Sequence, residues 1–484
     1  MQAEELIKLG VLQTLKLIKE KQVTCEEVCK AYLENIEKHK NKNAVLEVFN
    51  DSLDLARKID TKLNNNEKVG KLAGIPIIIK DNMLYKGKKA TCASRFLENF
   101  VSPYTATAVK KLLDEDAIII GRANMDEFAM GGSNENSAYG PCKNAFNDEY
   151  VAGGSSGGSA CSVACNMCCA SLGTDTGGSV RQPSSFNGVV GMKPTYGRIS
   201  RYGIVAFASS LDQVGPITKN VEDNAYLLEI LAGHDKNDQT SALEKVDDYS
   251  SKLNSQIKNL KIATIKELMD KYKNYNEYNN FAQLISFLKE NGAEVEEVSI
   301  KNIDLVLPSY YIIATAEATS NLGRFDGVKY TTAVKDASNI DDLYVRSRTQ
   351  GFGKEVQRRI MLGNFVLSSG YYDAYYNKAK KIQQKLKNNF NEIFNYYDAI
   401  LMPTTFKEAF KLGDKNTDPV SMYLEDLFTV IANVTSIPSI NVPYSYGENN
   451  LPLGVQFLTK EFNETIIYSL ADFVEKNYKR GKNE

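Results

Sequence analysis

Two short blocks hold the residues best suited to chemistry: "GGSSGGSA" (153–160), with Ser155, and "TDTGGSV" (174–180), with Ser179. Between them lie Cys161, Cys165, Cys168 and Cys169, and the run from Tyr150 to Thr174 carries no charge. Four chemistries compete for this stretch. A phosphate loop needs a lysine just after its last glycine to reach the phosphates, and none follows "GGSSGGSA". A membrane span needs about 20 predominantly apolar residues, whereas this run is filled with Gly, Ser, Asn and Thr. Cys161, Cys165 and Cys168 have a spacing that could hold three irons of an iron–sulfur cluster. With Cys169, however, the same positions fall on one face of a helix, and free cysteine packs as a small hydrophobe. The run of small residues from Ser159 to Ser171 therefore reads as a buried helix, which leaves the serines.

A serine nucleophile needs a base. The chain has two histidines, His39 in "IEKHKNK" and His234 in "GHDKND". Both stretches read as surface, which argues against a Ser–His–Asp triad or a His-rich metal site. The base must then be a lysine, a tyrosine or a carboxylate. Lys80, at the end of "GIPIIIK", is a candidate. If a buried strand carries it into a dry site, desolvation disfavours the ammonium and leaves an amine able to take a proton. The alternative is an exposed lysine at a strand end.

These residues need elements to position them. Short apolar runs at 73–80, 117–124, 397–404, 438–445 and 452–459 alternate with helical segments. Such runs, bounded by turn residues, predict strands buried on both faces and an α/β architecture with a large central sheet. Residues 1–65 read as helices, with a capping box at Thr24 and Glu27. Residues 371–394 read as one long amphipathic helix, and the charged, Asn/Lys-rich 246–300 as a smaller peripheral lobe. A formal net charge of −2 gives no electrostatic footprint for nucleic acid. The N-terminus lacks the pattern of a secretory signal. The eight cysteines form no regular framework, so a reducing compartment fits: the cytoplasm, with an organelle as the alternative.

Taken together, "GGSSGGSA", "GTDTGGSVRQP" and the upstream "GIPIIIKDN" resemble the amidase signature family. The resemblance implies a single domain over 1–484, with a mixed sheet covered by helices on both faces. It implies a Ser–cis-Ser–Lys triad: Ser179 as nucleophile and acyl carrier, Ser155 after a cis peptide as proton relay, and Lys80 as base. Backbone N–H groups of Thr176, Gly177, Gly178 and Ser179 would form the oxyanion hole, while Asp175 and Arg181 would brace the turn.

Longer blocks at 125–144, 188–216, 310–327 and 351–376 are similar to the glutaminase subunits of tRNA-dependent amidotransferases, a branch of that family. This implies hydrolysis of glutamine to glutamate and ammonia. The ammonia would pass to a partner, the B subunit, which amidates Glu-tRNA(Gln), or Asp-tRNA(Asn), using ATP and Mg2+. A small C subunit completes the implied heterotrimer. This chain itself would need no metal or cofactor, and no membrane. Free glutamine needs a group for its α-carboxylate and one for its α-ammonium, and a bidentate arginine and an aspartate suit them. The resemblance points to Arg359 and Asp426, with Tyr310 as a pocket hydroxyl; the neighbouring Arg358 and Glu425 would face solvent. The signature alone would also fit a stand-alone amidase acting on another small amide.

Overall fold

The computed structural model describes residues 2–253, 256–414, 423 and 425–479. Eleven strands form one sheet: β1 (Val45–Val48), β2 (Pro76–Lys80), β3 (Ile118–Ala123), β4 (Ala170–Asp175), β5 (Val190–Lys193), β6 (Gln213–Thr218), β7 (Lys261–Ile265), β8 (Glu294–Val298), β9 (Ala399–Pro403), β10 (Ser439–Tyr446) and β11 (Pro452–Leu458). Their order is β1-β3-β2-β4-β6-β5-β10-β11-β9-β7-β8. The sheet is mixed, and helices flank it. All five apolar runs form strands, and β2, β3, β9 and β11 are buried along their whole length.

The centre of the sheet positions the site. β2 runs parallel to both β3 and β4. The carboxyl ends of β2 and β4 therefore emerge at the same edge, the place where α/β sheets bind ligands. Lys80 ends β2 and Asp175 ends β4.

Four regions differ from the sequence reading or refine it. Residues 1–65 are not all helical: Val45–Val48 pairs antiparallel with β3 and covers what would be an open sheet edge. The Thr24–Glu27 capping box is present. Residues 246–300 supply β7, the helix Tyr278–Glu290 and β8, which extend the main sheet at its far end. The 371–394 segment opens with a π-helical turn, Tyr372–Asn377, before the α-helix Lys378–Ile393. Around that turn Tyr371 lies ring against ring with Tyr375, and Tyr372 with Tyr376.

The cysteine stretch needs a fuller correction. The helix covers only Gly157–Ala164, Cys165 caps it, and Asn166 turns left-handed at φ 56°. Cys168 and Cys169 then lead into β4 in the middle of the sheet, so the four cysteines do not share one helical face. A helical periodicity over small residues was overridden by the need for a strand between β2 and β6. The cysteines are still free thiols, buried except for half-buried Cys165. Among the described residues, no cluster of His, Cys, Asp and Glu could hold a metal ion. Among the same residues, no helix is long and apolar enough to cross a membrane.

Candidate active site

Lys80 is fully buried at the end of β2. Its Nζ lies 2.7 Å from Ser155 Oγ, 2.8 Å from Ser156 Oγ and 3.0 Å from Thr174 Oγ1. Burial lowers its pKa from 10.5 to about 7, against the pull of Asp126, Asp175 and Asp212, which favour the charged form. The lysine is thus desolvated and surrounded by oxygens, and it is not the exposed strand-end residue.

The first serine block is held from below. Gly154 N–H donates to Gln182 Oε1 at 2.9 Å, and the Gly154–Ser155 peptide is cis. A Cβ on Gly154 would lie 2.0 Å from Asp126 Oδ2, so only glycine fits. Asp126 N–H donates to the Ser155 carbonyl at 3.1 Å. The Asp126 carboxylate also accepts from the Asn134 and Asn136 N–H groups.

The second block is a turn tied to its own aspartate. Asp175 accepts from the N–H groups of Gly178 (2.8 Å) and Val180 (3.1 Å). It also takes both prongs of the Arg181 fork, each at 3.1 Å. Burial alone would raise the pKa of Asp175; the Arg181 charge and these bonds hold it at about 2. The polar atoms of these two side chains are committed to each other and to the backbone of the turn, which suits bracing and not reaction. A Cβ on Gly177 would lie 2.3 Å from the Tyr310 hydroxyl. Gly178 sits at φ +124°, and a Cβ there would lie 2.4 Å from Thr429. Thr429 Oγ1 in turn donates to the Gly177 carbonyl at 2.6 Å.

The two blocks meet directly: Ser156 N–H donates to the Ser179 carbonyl at 3.2 Å. Ser155 is fully buried, whereas Ser179 keeps 8% of its surface exposed. Of the four residues expected around an oxyanion, Gly178 has its N–H committed to Asp175, which leaves Thr176, Gly177 and Ser179. Thr176 is itself fixed through its hydroxyl, which donates to Asp212 Oδ1 at 2.6 Å.

A second constellation lies beyond Tyr310. Arg359, on the helix Lys354–Leu367, is buried, while Arg358 points outward and pairs with Glu355. The Arg359 guanidinium lies over the rings of Phe207, Tyr311 and Tyr423, 5.6 to 5.8 Å from their centroids. Its Nε donates to Glu355 Oε1 at 2.8 Å. Asp426 is half-buried and accepts from the Tyr311 hydroxyl at 2.5 Å. Loss of water pushes its carboxyl up to about 7, although Tyr311 and Arg359 favour the ionised form. Glu425 is half-buried and does not face solvent fully. Sequence reasoning missed Tyr311, Glu355, Tyr423 and Phe207. The i,i+4 spacing of Glu355 and Arg359 was a usable signal, and so was the Tyr310–Tyr311 doublet.

The mixed sheet, with two glycine–serine turns closing on a buried lysine, defines an enzyme of the amidase class. Residues 27–467 match the Amidase family model. The chain is 48% identical to the glutamyl-tRNA(Gln) amidotransferase A subunit of Fusobacterium nucleatum, covering 95% of this chain and 94% of that one. It is also 48% identical to an A subunit of the same enzyme, numbered 1, from Clostridium acetobutylicum, over 98% of each. Among solved structures it superposes on the A subunit from Thermotoga maritima, with a TM-score of 0.82 and 42% identity over 99% of this chain and 96% of that one. It also superposes on the peptide amidase of Stenotrophomonas maltophilia, with a TM-score of 0.82 and 25% identity over 98% and 97%. The chain therefore belongs to the amidase family, in the branch formed by the A subunits of glutamyl-tRNA(Gln) amidotransferases.

Proposed function

We propose that this chain is the glutaminase subunit of a tRNA-dependent amidotransferase. The observation that carries the reading is a desolvated lysine hydrogen-bonded to Ser155, whose chain neighbour Ser156 is bonded through its N–H to the Ser179 carbonyl. In this mechanism glutamine binds with its α-carboxylate on Arg359, its α-ammonium on Asp426 and its side chain past Tyr310. Ser179 Oγ attacks the side-chain amide carbon and passes its proton through Ser155 to Lys80. Backbone N–H groups of Thr176, Gly177 and Ser179 stabilise the oxyanion. The intermediate collapses, the proton returns from Lys80 through Ser155 to the leaving nitrogen, and ammonia departs. Water, activated by the same base, then cleaves the γ-glutamyl ester. The balance is glutamine plus water giving glutamate plus ammonia.

The ammonia serves the partner B subunit, which activates Glu-tRNA(Gln), or Asp-tRNA(Asn), with ATP and Mg2+; a small C subunit completes the heterotrimer in the cytoplasm. The near-neutral charge of this chain agrees with a partner holding the RNA. No step assigned to this chain needs a metal or cofactor. The test is glutamate release by the co-purified subunits, with and without charged tRNA and ATP. Ser179→Ala abolishes it while assembly persists; unchanged turnover refutes the mechanism. Brisk hydrolysis of other small amides by the isolated chain, with glutamine ignored, would favour a stand-alone amidase instead.

A further inference from the structure

We propose that Glu355 is a positioning residue for glutamine recognition: it fixes Arg359 so that the terminal Nη1/Nη2 edge of the guanidinium takes the substrate carboxylate. The proposal rests on the reading that Arg359 is the carboxylate group of the site.

A guanidinium can grip a carboxylate bidentately through either of two edges, Nε with one Nη or the two Nη atoms together. Here the choice is made within one helix. Glu355 and Arg359 stand four residues apart, with side chains 11% and 6% exposed. Glu355 Oε1 accepts from Arg359 Nε at 2.8 Å and from the Tyr423 hydroxyl at 3.3 Å. Its Oε2 accepts from Arg358 Nη1 at 2.5 Å. The Nε edge of Arg359 is thereby occupied.

The rings complete the constraint. Tyr311 stacks on Tyr423 with centroids 4.1 Å apart, and both face the guanidinium, as does Phe207. Tyr311 also reaches Asp426 through its hydroxyl. One connected set thus runs from Glu355 through Arg359 and the tyrosines to Asp426, and it fixes the spacing of the two opposite charges that glutamine must match. Glu355 also neutralises Arg359, whose burial without a partner would be costly.

The test uses the assembled enzyme and two amides. One is glutamine; the other is 4-aminobutanamide, which keeps the amide and the amine but lacks the α-carboxylate. Glu355→Ala lowers the ratio of kcat/KM for glutamine to that for 4-aminobutanamide by about 10- to 100-fold, the range for losing a hydrogen bond to a charged group. The loss lies mainly in the KM for glutamine. Glu355→Gln, which keeps shape and an acceptor for Nε, falls between wild type and Glu355→Ala, and carries the test if the alanine variant does not assemble. In an Arg359→Ala background, Glu355→Ala changes the ratio by less than about twofold, because the two act as one unit. Equal losses on both amides would mean a purely structural role and overturn the proposal, as would an unchanged ratio. If Arg359→Ala collapses the ratio while Glu355→Ala leaves it intact, only this proposal fails. If Arg359→Ala itself leaves the ratio unchanged, the reading of Arg359 fails and the proposal falls with it.

Discussion

The pKa of Lys80 makes a prediction that can be worked through in numbers. At about 7, about half of the lysine is neutral at pH 7; at its usual value roughly one in 3,000 would be. Below the pKa, kcat for glutamine falls about tenfold per pH unit, and above about pH 8 it levels off. Saturating glutamine keeps the protonation of Asp426 out of this measurement, because Asp426 then reports in KM. Lys80→Arg keeps the charge permanently and loses about 100- to 10,000-fold in kcat, the usual worth of a general base. Stability gives an independent check. The folded pKa lies below the unfolded one, so the unfolded chain binds more protons between about pH 7 and 10.5. Stability from this group therefore rises with pH across that window, and its cost is greatest below pH 7. That cost is on the order of 5 kcal/mol. Lys80→Met fills the same space without an amine, so it should be inactive yet melt higher than wild type. The gap should be largest near pH 6 and shrink towards pH 10. A kcat profile flat from pH 6 to 8, or a melting gap independent of pH, would refute the reasoning.

Asp426→Asn removes the charge proposed for the substrate ammonium. The KM for glutamine should rise about 10- to 100-fold at pH 8, and the wild-type rise in KM as pH falls through about 7 should disappear. Asp175→Asn leaves Arg181 buried without its counter-charge, and chemical denaturation should show a loss of about 3–5 kcal/mol.

Much of the site was legible because its parts sit at strand ends. "IIIK" reads as a strand buried on both faces, and the family resemblance, not the strand pattern, favours its lysine as a buried base over an exposed strand end; the Asp175–Arg181 brace likewise comes with that resemblance. Other features were illegible for physical reasons. Small residues between Ser159 and Ser171 satisfy a helix and a strand equally well, and only the vacancy between β2 and β6 decides that Cys168 and Cys169 enter β4. The edge strand Val45–Val48 exists because β3 offers it a partner, which no local pattern announces. The ring box around Arg359 joins Phe207, Tyr311 and Tyr423 from three distant segments, so spacing along the chain cannot bring the three rings together, even though the Tyr310–Tyr311 doublet hints at one of them.

The electrostatics of the site turn on three aspartates whose first task is to hold loops. Asp126 takes the N–H groups of Asn134 and Asn136, Asp175 those of Gly178 and Val180, and Asp212 those of Phe207 and Ala208. Each fixes a turn beside Lys80, and each pulls the lysine towards its charged form. Burial in an apolar pocket alone can bring a lysine down to about 5–6, where it would be a poor proton acceptor. A directly paired carboxylate would hold it charged near its usual value. Around Lys80 the hydrogen-bonding partners are serine and threonine oxygens, while the carboxylates act at longer range and are occupied by backbone donors, with Arg181 also on Asp175 and the Thr176 hydroxyl also on Asp212. Desolvation and these charges balance near neutrality, where an amine can both take and return a proton. The same contacts that shape the turns therefore set the strength of the base, and a substitution that loosens one of those turns must also move the pH at which Lys80 gives up its proton.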